Sequence, residues 1–253
     1  MDKNQLLTAT LESGIPPIET KLIEIRSTAT RQQTALRSVQ QLNTQQLGIL
    51  LPEDFDPVAT RTNQCVNLAL ANISDVAELL ETASERKIKL DFISVSCPVR
   101  MIARGDIAGL LNTAFFEENI FLDPTKLCLE FPPEILLEDS AKISEKLSEL
   151  RFMGIKTAIR DFGNAFCPTM RLREFAFDYA ILDQSVTDLM ENDATEHTAS
   201  SLVSFVRGLG IEAVAVGATG NEIISRFYQS DCTLYIPEPN RLLSPDEALP
   251  DKS

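Results

Sequence analysis

Few residues in this chain are placed to do chemistry. Arg160 and Asp161 stand together at the end of a short β-prone run, Ile155 to Ile159, just before a bend at Gly163. A strand whose C-terminal tip carries charges at a turn is where α/β proteins put working groups. The other usual actors are sparse. The one histidine, His197, lies in the polar run 193–198, so a zinc site built from histidines is excluded and a Ser-His-Asp triad would need this single residue. A solvated helix start is its plainer role. Cysteines 65, 97, 128, 167 and 232 are scattered without a CxxC and read as ordinary thiols of a reducing cytosol. Gly217-Ala218-Thr219-Gly220 opens a helix and could hold a phosphate, but a strand-to-helix turn explains its glycines as well.

The elements that must position Arg160 and Asp161 follow from periodicity. Helical spacing covers 3–13, 63–86, 104–117, 139–153, 168–176, 195–209 and 220–229, and Pro52-Glu53-Asp54 marks another helix start. Strand patterns fall at 22–25, 34–37, 88–95, 127–131, 155–159, 178–182, 211–216 and 233–236. Ile211 to Val216 is all small and β-branched, as in a strand buried on both faces. Strand and helix alternating along 253 residues, with no internal repeat or long linker, predict a parallel α/β architecture closed into a barrel as one domain, 1–253.

The bulk numbers limit the partners. A net charge of −14 spread along the chain repels phosphate backbones, so a general nucleic-acid surface is not expected. No apolar run reaches about 18 residues and no secretory leader is visible, so neither a membrane span nor export is expected and the location reads as cytoplasmic.

Five segments, at consistent separations, resemble one family. Leu47-Gly48-Ile49-Leu50-Leu51-Pro52-Glu53-Asp54-Phe55-Asp56-Pro57-Val58-Ala59 is similar to a G-hydrophobic-P-x-x-F-I-P-x-A segment, and Leu127-Cys128-Leu129-Glu130 to an L-x-L-E-x-T-E strand. Arg160-Asp161-Phe162-Gly163 matches D-D-F-G, Asp178 to Asp183 matches D-x-L-K-I-D, and Leu209 to Gly217 matches L-G-hydrophobic-x-V-V-A-E-G. Over nearly its whole length the chain resembles the EAL family of bacterial cyclic di-GMP phosphodiesterases. The resemblance implies a TIM-like (β/α)8 barrel with one antiparallel strand and a site at its C-terminal rim. There two divalent cations, which need hard oxygen ligands, activate a water that attacks a phosphodiester.

Position by position, the resemblance puts the glutamate that names the family at Thr34, a metal-binding asparagine at Ser94, and later carboxylates at Pro133, Arg160, Val216 and Thr219. The lysine that assists the water falls at Ile181, while Glu130 and Asp161 keep their carboxylates. Two unit charges at 4 Å interact by about 4 kcal/mol at an effective dielectric near 20, so a dication beside Arg160 would meet roughly twice that as repulsion. The expectation is therefore no metal, no cofactor and no enzyme. Arg160 is expected to serve as counter-charge to Glu130 and Asp161, or else to point to solvent. Leu36, Arg37, Glu130, Arg160 and Asp161 are the remnant that could still contact the nucleotide. The favoured role is a catalytically inactive regulatory module binding another protein. Alternatives are a receptor that binds cyclic di-GMP without cutting it and, after that, residual phosphodiesterase or another activity on the same barrel. A homodimer is left open, because Asn164-Ala165-Phe166-Cys167-Pro168 departs from the flexible loop through which family members pair.

Overall fold

The computed structural model describes residues 3–14, 17–117 and 123–251. In chain order they form α1 (Lys3–Ser13), β1 (Ile18–Ser27), β2 (Gln33–Thr44), β3 (Gly48–Leu50), α2 (Pro52–Arg61), α3 (Cys65–Glu85) and β4 (Ile93–Ser96). Then come α4 (Val99–Ala103), α5 (Ile107–Glu117), β5 (Leu127–Phe131), α6 (Ser140–Phe152), β6 (Lys156–Phe162) and β7 (Tyr179–Leu182). The chain finishes with α7 (Gln184–Glu191), α8 (Glu196–Gly208), β8 (Glu212–Val216), α9 (Asn221–Gln229), β9 (Leu234–Ile236) and α10 (Pro245–Ala248). The strands run β1-β9-β8-β7-β6-β5-β4-β2, and a β1–β2 pairing closes the ring. β1 is antiparallel to both neighbours while the other seven strands are parallel, and β3 hangs on the outer edge of β2.

Alternation along each strand separates two apolar layers. Ile23, Ile25, Ala35, Cys128, Ala158, Ile181, Val214 and Ile236 fill the barrel. Their neighbours Leu22, Leu36, Ile93, Leu129, Ile159, Leu182 and Ala213 face outward into the larger core beneath the helices. The helices start on side-chain caps where the sequence supplies them. Asp139 accepts from the amides of Ala141 and Lys142 at the head of α6, and Asp183 accepts from Ser185 at α7.

Several bounds differ from the sequence pattern. β2 runs on through Ser38 to Thr44, because Gln40 and Gln41 keep pairing with β1 although neither is apolar. β4 starts at Ile93 rather than 88, since Lys87 turns the chain at a φ of 54° and lets Ile88 to Leu90 cover the helix end instead. The helix expected at 168–176 is a 3-10 segment, Thr169–Glu174, begun by Pro168. α4 and α7, five and eight residues long, are too short to show a helical stripe in the sequence.

Candidate functional site

The C-terminal ends of β2, β4, β5 and β6, with α2 and α3 beside them, enclose a cavity of about 480 Å³. Three guanidinium groups line it: Arg37 from the middle of β2, Arg100 from α4 and Arg160 from the tip of β6. Inward alternation puts Arg37 on the same side of β2 as Ala35, and Glu130 on the same side of β5 as Cys128. The two meet. Arg37 Nη2 lies 2.9 Å from Glu130 Oε2, and the carboxylate is fully buried. Ser94 Oγ donates to Oε1 of the same carboxylate. The Arg37 contact is a charge contact off the hydrogen-bond axis, for Oε2 accepts no hydrogen bond among the described residues. A buried carboxylate without a counter-charge would cost several kcal/mol, so Arg37 is what allows Glu130 to sit there.

Arg160 does something else. Its Nη1 donates to Asp161 Oδ2 at 2.9 Å, while its Nε is buried and donates to nothing among the described residues. Asp161 sits at a bulge where the β6–β7 register shifts, with a φ of 53°, a backbone shape that asparagine and aspartate tolerate better than most residues. The bulge aims Asp161 at the rim instead of into the barrel. Gly163 follows at a φ of 94°, and a Cβ there would press on Leu202 and Val186, so this bend admits only glycine without adjustment.

On the α2 and α3 side the cavity holds Asp56, Gln40 and Asn72. Burial pushes the Asp56 carboxyl up to about 6. Arg160 pulls it back down, and Glu53 adds to the rise. Gln40 Nε2 and Asn72 Oδ1 are buried and without a partner among the described residues. Buried polar atoms left unpaired are uncommon, and here a donor and an acceptor both border one hollow.

The remnant residues therefore divide. Arg37 and Arg160 line the cavity, Glu130 lies buried behind it against Arg37, and Asp161 is tied to it through Arg160. Leu36 does not join them: it faces outward into the core beneath the helices, as the period of two requires of a residue next to inward-facing Arg37. The expected pairing of Arg160 with Glu130 is replaced by Arg37 with Glu130. The β2 side chain that meets Glu130 is also not Thr34 but Arg37, three residues further along, while Thr34 Oγ1 lies against the Ile25 carbonyl. Asp56, Gln40, Asn72 and Arg100 were missed. Only the buried polar Asn72 within an apolar helical stripe offered a sequence signal.

The donor set does not fit a pair of divalent cations. Glu130 is already matched by Arg37 and Asp161 by Arg160. Ile181 and Val216, at positions the resemblance gives to polar groups, belong to the apolar barrel filling. Among the described residues, no three His, Cys, Asp or Glu side chains gather closely enough to hold an ion.

The sequence pattern described as EAL domain matches residues 25–236. Among curated proteins, the chain is 26% identical over 179 residues to the cyclic di-GMP phosphodiesterase PA2567 of Pseudomonas aeruginosa, covering 68% of this chain and 29% of that one. It is 30% identical over 120 residues to the cyclic di-GMP phosphodiesterase PdeB of Shewanella oneidensis, covering 47% of this chain and 14% of that one. The chain thus spans less than a third of either relative. Among solved structures, the EAL enzyme Bd1971 in its cAMP- and cyclic-di-GMP-bound form superposes with a TM-score of 0.83 at 17% identity, over 98% of this chain and 67% of that one. PaMucR phosphodiesterase in complex with c-di-GMP gives 0.81 at 17% identity, over 98% of this chain and 100% of that one. At such identity these likenesses establish the fold. The expectation of a chain that is not an enzyme is corrected by these comparisons, since the relatives named are phosphodiesterases and point to an enzyme.

Proposed function

The chain belongs to the EAL domain family, and from that premise we propose that it is a cytoplasmic cyclic di-GMP signalling domain that takes the dinucleotide into its rim cavity. The observation that carries this reading is the convergence of Arg37, Arg100 and Arg160 on one cavity in a chain of net charge −14. Arginine matches phosphate oxygens with paired donors, and a local excess of it in an acidic protein draws anions to one place. Buried Gln40 and Asn72 supply the separate donor and acceptor that a base edge needs. The solved EAL structures with cyclic di-GMP bound agree with this choice of ligand.

Isothermal titration of the chain with cyclic di-GMP tests the reading. Saturable heat that is lost in Arg160→Ala supports it. No heat at tens of micromolar ligand would remove it. Chromatography of the same samples reads turnover: a linear dinucleotide would extend the reading from uptake to hydrolysis at the same cavity.

A second role, regulation through protein contacts, is favoured by one surface. Leu137, Phe166 and Met170 are 67%, 93% and 63% exposed on the segments that follow β5 and β6, and Arg171 joins those segments by donating to the Glu138 carbonyl. Sedimentation of wild type and Phe166→Ser, followed by capture of partners from the native host, separates a second copy of the chain from another protein.

A further inference from the structure

The mismatch between this cavity and a two-cation centre points to how the ligand is held. We propose that Arg37 takes the place of a cation at Glu130, and that Arg100 and Arg160 bind the ligand phosphates directly, with no divalent ion between protein and phosphate. This rests on the reading that the cavity takes up cyclic di-GMP.

In a site bridged by metal ions, carboxylates hold the ions and the ions hold the phosphate. Here the buried carboxylate of Glu130 is already balanced: Arg37 lies 2.9 Å away and Ser94 donates to its other oxygen. A dication entering there would have to displace a guanidinium that cannot lose its proton, or else share the hollow with it. The positive charge facing the ligand therefore comes from the protein. Arg160 gives one Nη to half-buried Asp161 and keeps a buried Nε–H unspent at the cavity wall. Arg100 has no ion-pair partner among the described residues and lines the same wall. Two guanidinium groups with donors to spare suit the two phosphodiesters of a cyclic dinucleotide.

Titration of the full chain with cyclic di-GMP in excess EDTA, in Mg²⁺ and in Mn²⁺ tests this. The expected result is the same Kd within about twofold in all three. Arg160→Ala and Arg100→Ala each weaken binding about tenfold to a hundredfold, the usual worth of a hydrogen bond to a charged group. Arg151→Ala, at the opposite end of the barrel, leaves it unchanged. Binding seen only with Mg²⁺ or Mn²⁺ overturns this inference while leaving the cavity as the ligand site. Full binding by Arg160→Ala and Arg100→Ala also overturns it. No binding under any condition removes the underlying reading instead.

Discussion

At the scale of single residues, two carboxylates, one buried behind the cavity and one on its wall, are managed in opposite ways. Glu130 is buried and paired, so its stability contribution depends on its partner. Arg37→Ala should cost about 3–5 kcal/mol, because it leaves a buried carboxylate uncompensated, whereas Arg37→Met with Glu130→Leu should lie much nearer wild type. Urea unfolding of the three proteins at neutral pH checks this, and equal losses in single and double variants would contradict it. Asp56 is half-buried and largely unpaired, and burial lifts its carboxyl to about 6 against an ordinary 3.8. Between those values the folded chain holds a proton that the unfolded chain has released. Stability therefore falls as pH rises from about 4 to 6 and stays lower above that. Asp56→Asn should flatten that slope and add about 1–2 kcal/mol near pH 7, the carboxyl's partial exposure being discounted. Denaturation midpoints at a series of pH values decide it. These residues also show what the sequence could convey. Glu130, Arg160 and Asp161 could be located because motif spacing survives divergence. The meeting of Arg37 with Glu130 could not be read, because β2 and β5 are not neighbours: β4 lies between them, pairing Ser94 with Arg37 and Ser96 with Glu130, and only the closed barrel brings the two inward side chains together.

At the scale of elements, the turn after β6 is the most tightly specified piece of the rim. Gly163→Ala would force a left-handed φ on a residue whose Cβ comes within 2.8 Å of Leu202 Cδ2, one of the side chains packed beside the strand end. Gly217 has a similar φ, but its added Cβ would strike only the end of the Gln184 side chain, which can swing aside. Gly163→Ala should cost about 2–4 kcal/mol and Gly217→Ala about 1 kcal/mol, compared by thermal or urea unfolding. The parallel strands were legible because their residues are apolar on both faces: all five of β5 are buried. α4 and α7 were not legible, for five and eight residues make too few turns for a period to stand out. The 3-10 segment after Pro168 was read as a helix because composition alone does not distinguish a three-residue from a 3.6-residue turn.

At the scale of the whole molecule, a net charge of −14 surrounds a cavity lined by three arginines. Salt should act on the two with opposite sign. Screening relieves self-repulsion of the acidic surface and raises Tm, while it weakens the hold of the cavity on a phosphodiester; the Debye length falls to about 10 Å at 0.1 M. Scanning calorimetry and titration across one series of NaCl concentrations would measure both, and parallel trends would argue against a separate cationic hollow. The ring itself is unevenly fastened. β1 and β2 share a long register from Ile18 to Arg26, whereas β1 meets β9 at Arg26 with Tyr235 and Ser27 with Leu234, and β2 meets β4 at Leu36 with Ile93 and Arg37 with Ser94, each short seam extended by a flanking backbone bond, Thr28 to Thr233 and Asp91 to Thr34. A hoop fails first at its thinnest joints, so transient breathing should part the β1-β2 pair from β9 and from β4 and leave the β4-β5-β6 wall standing. The amide of Tyr235, which faces β1, should then trade deuterium well before those of Leu129 and Glu130. Opening of the second seam would draw Arg37 off Glu130 while Arg100 and Arg160 stay with the wall.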